Sequence, residues 1–316
     1  MKEKEEIFVG IDVSKYKLDI YLYPANKYFQ VNNNVAGFKQ LLKKLSSFEL
    51  NLVAMESTGL YHREAFYFLT DNNIKVAILN PLRVRNFAKS LDYLAKTDKI
   101  DAKNIALFAA KLNPRSSNPP SKAERRMESL NRRRRQLVKI RASEKNRIQS
   151  ETDSFIKKEI TKTIKYLGKQ INKIEAEINS TLKQDEALNA RFKILKTIPG
   201  VGDKVAKSLI TDLPELGKIS SKQISSIVGV APKNKDSGLF KGTRKISGGR
   251  KDLRNDLYMS ALSVIQRKSV LNDFYVNLVK RGKKPQVAIV AVIRKIVSIA
   301  NSLIKNNQDF LADFST

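Results

Sequence analysis

The chain has 316 residues, enough for two or three domains, and carries Lys+Arg 60 against Asp+Glu 31 for a formal net charge of +29. Such an excess favours a polyanionic partner through counterion release and steering, whereas a merely solubilising surface mixes both signs, so nucleic acid is the expected partner. With no cysteine and one histidine, His62, disulfides, thiolate zinc and imidazole metal sites are excluded; any metal must be hard and oxygen-bound, Mg²⁺ or Mn²⁺.

The first residues, MKEKEE, lack the apolar core of a signal peptide. The apolar run Val287 to Ile293 is too short to span a bilayer. The expectation is a soluble, cytoplasmic, nucleoid-associated protein that makes no membrane contact. Ile7–Asp12 and Lys17–Tyr23 alternate apolar and polar residues and predict a hairpin, with Tyr28–Val31 as a third strand. Val35–Leu45 is a predicted helix with Phe38, Leu41, Leu42 and Leu45 on one face. Asn51–Glu56 is a buried strand ending on a carboxylate, Tyr61–Asn72 a helix, and Lys75–Leu79 a strand closed by Asn80-Pro81. A Lys/Arg-bearing helix follows, then a last one from about Thr97 to Lys111. Strands followed by alternating β and α units imply a sheet covered by helices, an α/β domain over residues 1–113.

Pro114 to Ser121 is rich in Pro, Ser and Asn and is expected to be a linker. The linker and a basic helical middle fill 114–190. The middle opens with Arg125, Arg126 and Arg132 to Arg135. Ile160, Ile164, Leu167, Ile171, Ile174, Ile178 and Leu182 then recur at steps of four and three, the a/d seam of a coiled coil, and Leu130 and Leu137 extend it upstream. A two-stranded seam needs a partner, and a second chain is the expected one; an intramolecular helical hairpin is the alternative. Residues 191–316 form a mostly α domain. Pro199-Gly200-Val201-Gly202 between helical segments has the helix-hairpin-helix pattern, in which backbone N–H groups are exposed to a phosphate; a plain tight turn is the alternative. Helices are predicted at Lys204–Leu213, Ser220–Ile227, Leu253–Lys268 and Val287–Ile304, and the Gly-, Ser- and Lys/Arg-rich segment 233–251 is the least regular.

Asp12 and Glu56 each end a predicted buried strand, and a buried unpaired carboxylate is costly enough to call for a partner. Asp98 and Asp101 lie at i, i+3 on one helix face. Four such acids can hold one or two Mg²⁺ ions, and two-metal sites serve phosphoryl transfer. A capping and solvated pair is the plainer reading of Asp98 and Asp101, and Asp19 and Glu64 read as surface charges. Asp on strand one, Glu on strand four and paired Asp on a late helix is the order of the ribonuclease-H-like fold, and it resembles resolvases of the RuvC type.

The chain also resembles transposases of the IS110/IS1111 type, through GIDVSKYKLDI, AMESTGLY and KTDKIDAKNIA in its first part and IPGVGDKVA, IVGVAPKNKDSG and ISGGRKDLRNDLYMSALS in its last. Residues 7–305 are covered. The resemblance implies a RuvC-like domain, a coiled-coil middle and a transposase domain, with the catalytic, metal-holding acids at Asp12, Glu56, Asp98 and Asp101. It places a nucleophilic serine at Ser237 in Ser237-Gly238, and implies a structured non-coding guide RNA that pairs with donor and target DNA. It further implies homodimers or homotetramers whose acids and serine come from different chains. On chemistry alone Ser247, Ser220 and Ser221 rival Ser237, and a hydroxyl needs activation, for which metal at the acids is the simplest source. Many relatives carry a Lys-x-Gly-Asn type run where this chain has Ser247-Gly248-Gly249-Arg250.

The nucleic-acid backbone is expected at Arg125, Arg126, Arg132, Arg133, Arg134 and Arg135, and at Lys241, Arg244, Lys245, Arg250, Lys251 and Arg254. The reading is an RNA-guided DNA recombinase of an insertion sequence. The alternatives are a metal-dependent junction-resolving nuclease without a covalent intermediate, and a non-catalytic nucleic-acid scaffold, which gains nothing from four converging acids.

Overall fold

Strand β1 (Ile7–Val13) alternates Ile7, Val9, Ile11 and Val13 with Phe8, Gly10 and Asp12, and both sets are covered, so the strand lies in the middle of a sheet. In the computed structural model, which describes residues 6–57, 59–91, 97–233 and 245–311, the chain divides into two compact units, Met1–Pro119 and Pro120–Thr316.

In the first unit β1 is followed by β2 (Lys17–Tyr23), β3 (Lys27–Asn32), α1 (Val35–Leu45), β4 (Leu50–Glu56), α2 (Arg63–Asp71), β5 (Val76–Leu79), α3 (Pro81–Ser90) and α4 (Asp98–Leu112). The five strands form one sheet in the order β3-β2-β1-β4-β5. β1, β2 and β3 pair antiparallel, while β4 is parallel to both β1 and β5. One face packs Ile7, Val9, Ile11 and Val13 with Leu18, Ile20 and Leu22 against α1 and α2 through Phe38, Leu41 and Leu69. Each such fully buried side chain contributes roughly 1.5–3 kcal/mol. The other face packs Leu52, Ala54, Ala77 and Leu79 against Ile105, Phe108 and Ala109 of α4. The third strand is longer than the predicted Tyr28–Val31. The expected linker is partly tied down: the Ser117 N–H donates to the Val76 carbonyl at 2.7 Å and Ser117 Oγ accepts from the Ile78 N–H at 3.0 Å, along the edge of β5.

The second unit opens with α5 (Lys122–Ser150), capped by Ser121 and Glu124, and α6 (Ser154–Gln184). The predicted seam is closed within the chain from Leu167 to Leu182: Leu137 packs on Leu167 and Ile171, and Met127 shares a core with Ile178 and Leu182. Arg126 pairs with Glu177 and Arg141 lies by Gly168, so the two helices run antiparallel. The partner expected from a second chain is thus α5 itself. Beyond them come α7 (Glu186–Lys196), α8 (Asp203–Asp212), α9 (Ser221–Val228), the two-residue strands β6 (Pro232–Lys233) and β7 (Lys245–Ile246), α10 (Lys251–Val264), α11 (Val270–Lys280) and α12 (Pro285–Asn306). The turn between α7 and α8 holds Gly200 at φ +81°, where a Cβ would lie 2.9 Å from Val264 Cβ. α12 is long enough and apolar enough, at mean hydropathy 1.9, to cross a membrane, unlike the shorter run that the sequence shows. Here it is the central core helix, burying Val292, Ile293, Ile296, Val297, Ala300 and Leu303.

Candidate active site and nucleic-acid interface

The parity of β1 decides where Asp12 points. Gly10 and Asp12 share the face covered by α4, and a Cβ on Gly10 would stand 2.2 Å from the Ala102 carbonyl oxygen and 2.3 Å from the Ala106 nitrogen. Only glycine permits that approach. Ala102 and Ala106 complete it with Tyr21. The contact seats α4 directly on β1, and the first turn of α4 carries Asp98 and Asp101. Thr97 caps that turn, its Oγ1 accepting from the Ile100 N–H at 3.3 Å. The helix dipole favours both acids there.

Asp12 is half-buried, and its pKa is raised from 3.8 to about 6. Burial is the largest cause, followed by the negative charges of Asp101 and Asp98, with a smaller push from Asp19. A hydrogen bond with the Val13 backbone acts in the opposite direction. Three of the four predicted acids are therefore electrostatic neighbours. Glu56 is half-buried at the end of β4, paired in register with Leu79 of β5 and one residue beyond Met55, which pairs with Ile11. Among the described residues no three Asp, Glu or His side chains stand close enough together to hold a metal ion as placed. The donor set is all hard oxygen, and Asp12 is short of positive charge, which is the chemistry that a divalent cation satisfies.

Asp19, which reads in the sequence as a surface charge, is buried, with 2% of its surface exposed. It is the direct register partner of Asp12 across the antiparallel ladder. Its Oδ1 accepts from Tyr28 Oη and from Gln30 Nε2, each at 2.6 Å. Tyr28 is pushed above its ordinary pKa of 10.0, chiefly by the bond to Asp19 and then by burial. Lys99 Nζ lies 5.5 Å from the Tyr28 ring centroid. The motif LDIYLY hid this acid because its alternate positions look outward until α4 covers that face. Glu64 is exposed, as a surface charge should be.

In the second unit, Ser237, Lys241 and Arg244 lie outside the described residues. The segment that carries them joins β6 to β7, which pair through Pro232–Ile246 and Lys233–Lys245, so both ends of the segment leave from one short ladder. Around that stem Arg250 grips Glu215 with two bonds of 2.6 and 2.7 Å, and Arg254 donates to the Gly248 carbonyl at 2.6 Å. Lys245 and Lys251 are exposed, and Ser247 is exposed beside the stem.

The basic helix divides in two. Arg135 pairs with Asp212 and donates to Asp256 at 2.9 Å, while Ser208 and Lys204 also reach Asp256, both at 2.8 Å. Burial alone would raise Asp256, but Lys204 and Ser208 hold it below the usual carboxylate range. Arg134 is tied to Glu175 at 2.7 Å and Arg126 to Glu177 at 2.6 Å. Arg125 Nε donates to the Pro120 carbonyl. Among the described residues Arg132 and Arg133 bond neighbouring polar side chains, Ser129 at 3.4 Å and Gln136 at 3.3 Å. Arg133 is exposed and open to an outside anion.

Two known families match this chain. A family of the DEDD IS110 type, described as transposase, matches residues 9–155, and one described as Transposase IS116/IS110/IS902 family matches residues 192–276. The chain is 29% identical to the pilin gene-inverting protein of Moraxella bovis over 96% of its own length and 97% of that protein. The pilin gene-inverting protein of Moraxella lacunata matches to the same extent, 29% over 96% and 97%. An insertion element IS110 protein of Streptomyces coelicolor is 24% identical over 42% of this chain and 32% of its own length.

Proposed function

From the premise that the chain belongs to the IS110 family of transposases and is a DNA recombinase, we propose that it cuts and rejoins DNA with Asp12, Glu56, Asp98 and Asp101 as a metal-holding set and Ser237 as the nucleophile, under the guidance of a structured non-coding RNA. The observation that carries the acid half is the seating of α4 on Gly10, which brings the charges of Asp101 and Asp98 to bear on Asp12. The strand order β3-β2-β1-β4-β5, antiparallel from β3 to β1 and parallel from β1 to β5, supports an RNase-H-like reading of the first unit.

Mg²⁺ or Mn²⁺ at the four acids would neutralise charge on the attacked phosphate. The protein's own part is distinct. Gly10 and Thr97 fix the height and start of α4, and so the position of Asp98 and Asp101. Asp19, held by Tyr28 and Gln30, adds a fixed negative charge beside Asp12. Ser237 Oγ gives up its proton as it bonds to phosphorus, the phosphorus–oxygen bond to the leaving deoxyribose breaks and that oxygen takes up the proton, and the serine–phosphate ester keeps the bond energy for rejoining. The β6–β7 ladder, flanked by the bonds of Arg250 and Arg254, ties together the two ends of the segment that carries this serine. Arg133, Lys245 and Lys251, exposed and without a carboxylate partner among the described residues, are the side chains best placed to meet nucleic-acid backbone. The Moraxella relatives are named for inverting a gene, which fits DNA cutting and rejoining by this chain in the cytoplasm. The proposal includes a homodimer or homotetramer in which acids and serine come from different copies.

The test is a covalent trap. Protein, the RNA encoded beside it, labelled donor and target DNA and Mg²⁺ are mixed, denatured and resolved for a protein–DNA adduct, with Ser237→Ala and Asp12→Asn alongside. An adduct in the parent that both variants lose is the expected result. Cut DNA with no adduct, and an active Ser237→Ala, would instead establish a hydrolytic junction nuclease.

A further inference from the structure

A cavity of about 350 Å³ opens at the carboxyl end of β5, on the far side of the sheet from β2. Beneath it Phe108 is buried in the core, held edge-on by Phe87 at 5.4 Å between centroids. Leu79 and Pro114 form apolar walls, and Leu112, half exposed, lies at the mouth. Two guanidiniums complete the lining, Arg83 and Arg115. Both are exposed, and neither has a carboxylate partner among the described residues. The Arg83 guanidinium carbon stands 5.7 Å from the Phe108 centroid. The outer wall is preformed, because Ser117 is bonded to β5 on both sides and fixes the segment that carries Pro114 and Arg115.

The cavity is joined to the acid cluster by the sheet itself. Leu79 is the register partner of Glu56, and its carbonyl accepts from the Ser57 N–H at 3.0 Å. β5 lies two strand spacings from β1, about 10 Å at the usual separation. A slot that sets the apolar side chains of Leu79, Leu112 and Pro114 beside two planar cations suits one ligand chemistry well: a flat heterocycle joined to a phosphate. A base stacked inside a duplex could not enter it, while an unpaired one could. The volume lies within the range of small-ligand pockets.

We infer that this cavity receives one unpaired nucleotide of the DNA strand that runs past the acid cluster, its base against Leu112 and Pro114 and its phosphate between Arg83 and Arg115. The inference rests on the proposed DNA reaction for its choice of DNA over other nucleotides. Holding one nucleotide there fixes the register of the strand, so the scissile phosphate is placed by a contact that reads shape and not sequence.

The experiment uses the full chain carrying Asp12→Asn, so that binding is read without cleavage. Short single-stranded DNA with 4-thiothymidine at each position in turn is irradiated with the protein, and the linked peptide is identified by mass spectrometry. The expected cross-link falls on residues 108–115, and Leu112→Trp, which fills the mouth, abolishes it. Arg83→Ala with Arg115→Ala weakens binding of the same DNA about tenfold and flattens the slope of log affinity against log salt by about 1.4, two contacts at roughly 0.7 each. Cross-links confined to other segments, cross-links obtained with RNA alone, or affinity of the double variant within twofold of the parent would overturn the assignment. The covalent trap with unmodified protein is scored separately, so a failed recombination reaction and an empty cavity give different results.

Discussion

Asp12 and Asp19 stand directly opposite each other across the β1–β2 ladder, on the sheet face that α4 covers. One is half-buried with its pKa raised to about 6, and the other is fully buried with Tyr28 and Gln30 donating to one oxygen. Adjacent carboxylates on one face repel each other, and the fold keeps them together only through these donors and through packing. A site that holds such repulsion in its empty state favours binding of a cation.

The first consequence concerns stability. The folded pKa of Asp12 is raised, so the folded state prefers its protonated form. Its contribution is therefore most favourable below the unfolded value near 3.8 and is lost as pH rises through about 6. Asp12→Asn removes the charge, and should stabilise the chain at pH 7.5 without divalent ions by about 1–2 kcal/mol, after allowing for solvent screening of a half-exposed group. The gain should vanish near pH 4. Thermal melts of both proteins at the two pH values, with and without Mg²⁺, measure it; an equal or lower melting temperature for the variant at pH 7.5 would refute the electrostatic picture.

Asp19→Asn keeps the shape and the oxygen acceptor but removes the charge. Tyr28, raised chiefly by its bond to Asp19, should then titrate closer to 10. Ring-labelled tyrosine NMR follows this residue directly. Mn²⁺ affinity, read by electron paramagnetic resonance on the same sample, should fall several-fold through loss of a neighbouring negative charge. An unmoved Tyr28 would mean that the buried pair does not form in solution.

Much of the first unit is legible from period alone. The alternation in β1 and β2 and the i, i+3 spacing of Asp98 and Asp101 are local signals, and the local geometry follows them. Asp19 was hidden because a polar residue at an alternating strand position reads as solvent-facing, and only the covering helix reverses that. The seam from Ile160 to Leu182 was legible, but not its partner, since an apolar stripe looks the same whether α5 or another chain covers it. Arg135 was equally opaque: its partner Asp256 lies 121 residues away, and no local pattern reports an ion pair of that range. α11 is the opposite case, because its signal is local: Leu271, Phe274, Tyr275 and Leu278 recur at steps of three and four behind the cap Ser269, and a helix there is readable from period alone.

Gly10→Ala tests whether α4 is seated as described. A methyl group 2.2 Å from the Ala102 carbonyl forces strand and helix apart, and overpacking of this kind costs about 1–3 kcal/mol. Urea titration should show that loss, and Mn²⁺ affinity should drop further than stability alone requires, because Asp98 and Asp101 move with the helix. Gly168→Ala is the control: inside α6 a Cβ there meets only Arg141 Nη1, at 3.9 Å, so stability should rise by about 0.5–1 kcal/mol instead of falling.

The basic helix offers the sharpest contrast, because two adjacent residue types that look interchangeable have different surroundings. Arg135 is enclosed by Asp212, Asp256 and Ser208, and burial that would lower its pKa is outweighed by the two carboxylates. Arg135→Met leaves Asp212 without its cation and Asp256 with Lys204 alone, and should destabilise the second unit by about 3 kcal/mol, the low end for a broken buried pair. Arg133→Ala removes an exposed side chain with one long bond to Gln136 and should change stability by less than about 0.5 kcal/mol. DNA affinity should respond in the reverse order: Arg133→Ala lowers it and reduces its salt slope by about 0.9 for a duplex, while folded Arg135→Met keeps the parent slope. Denaturant melts and binding at several salt concentrations decide between the roles, and a reduced slope for Arg135→Met would show that this guanidinium reaches the phosphates after all.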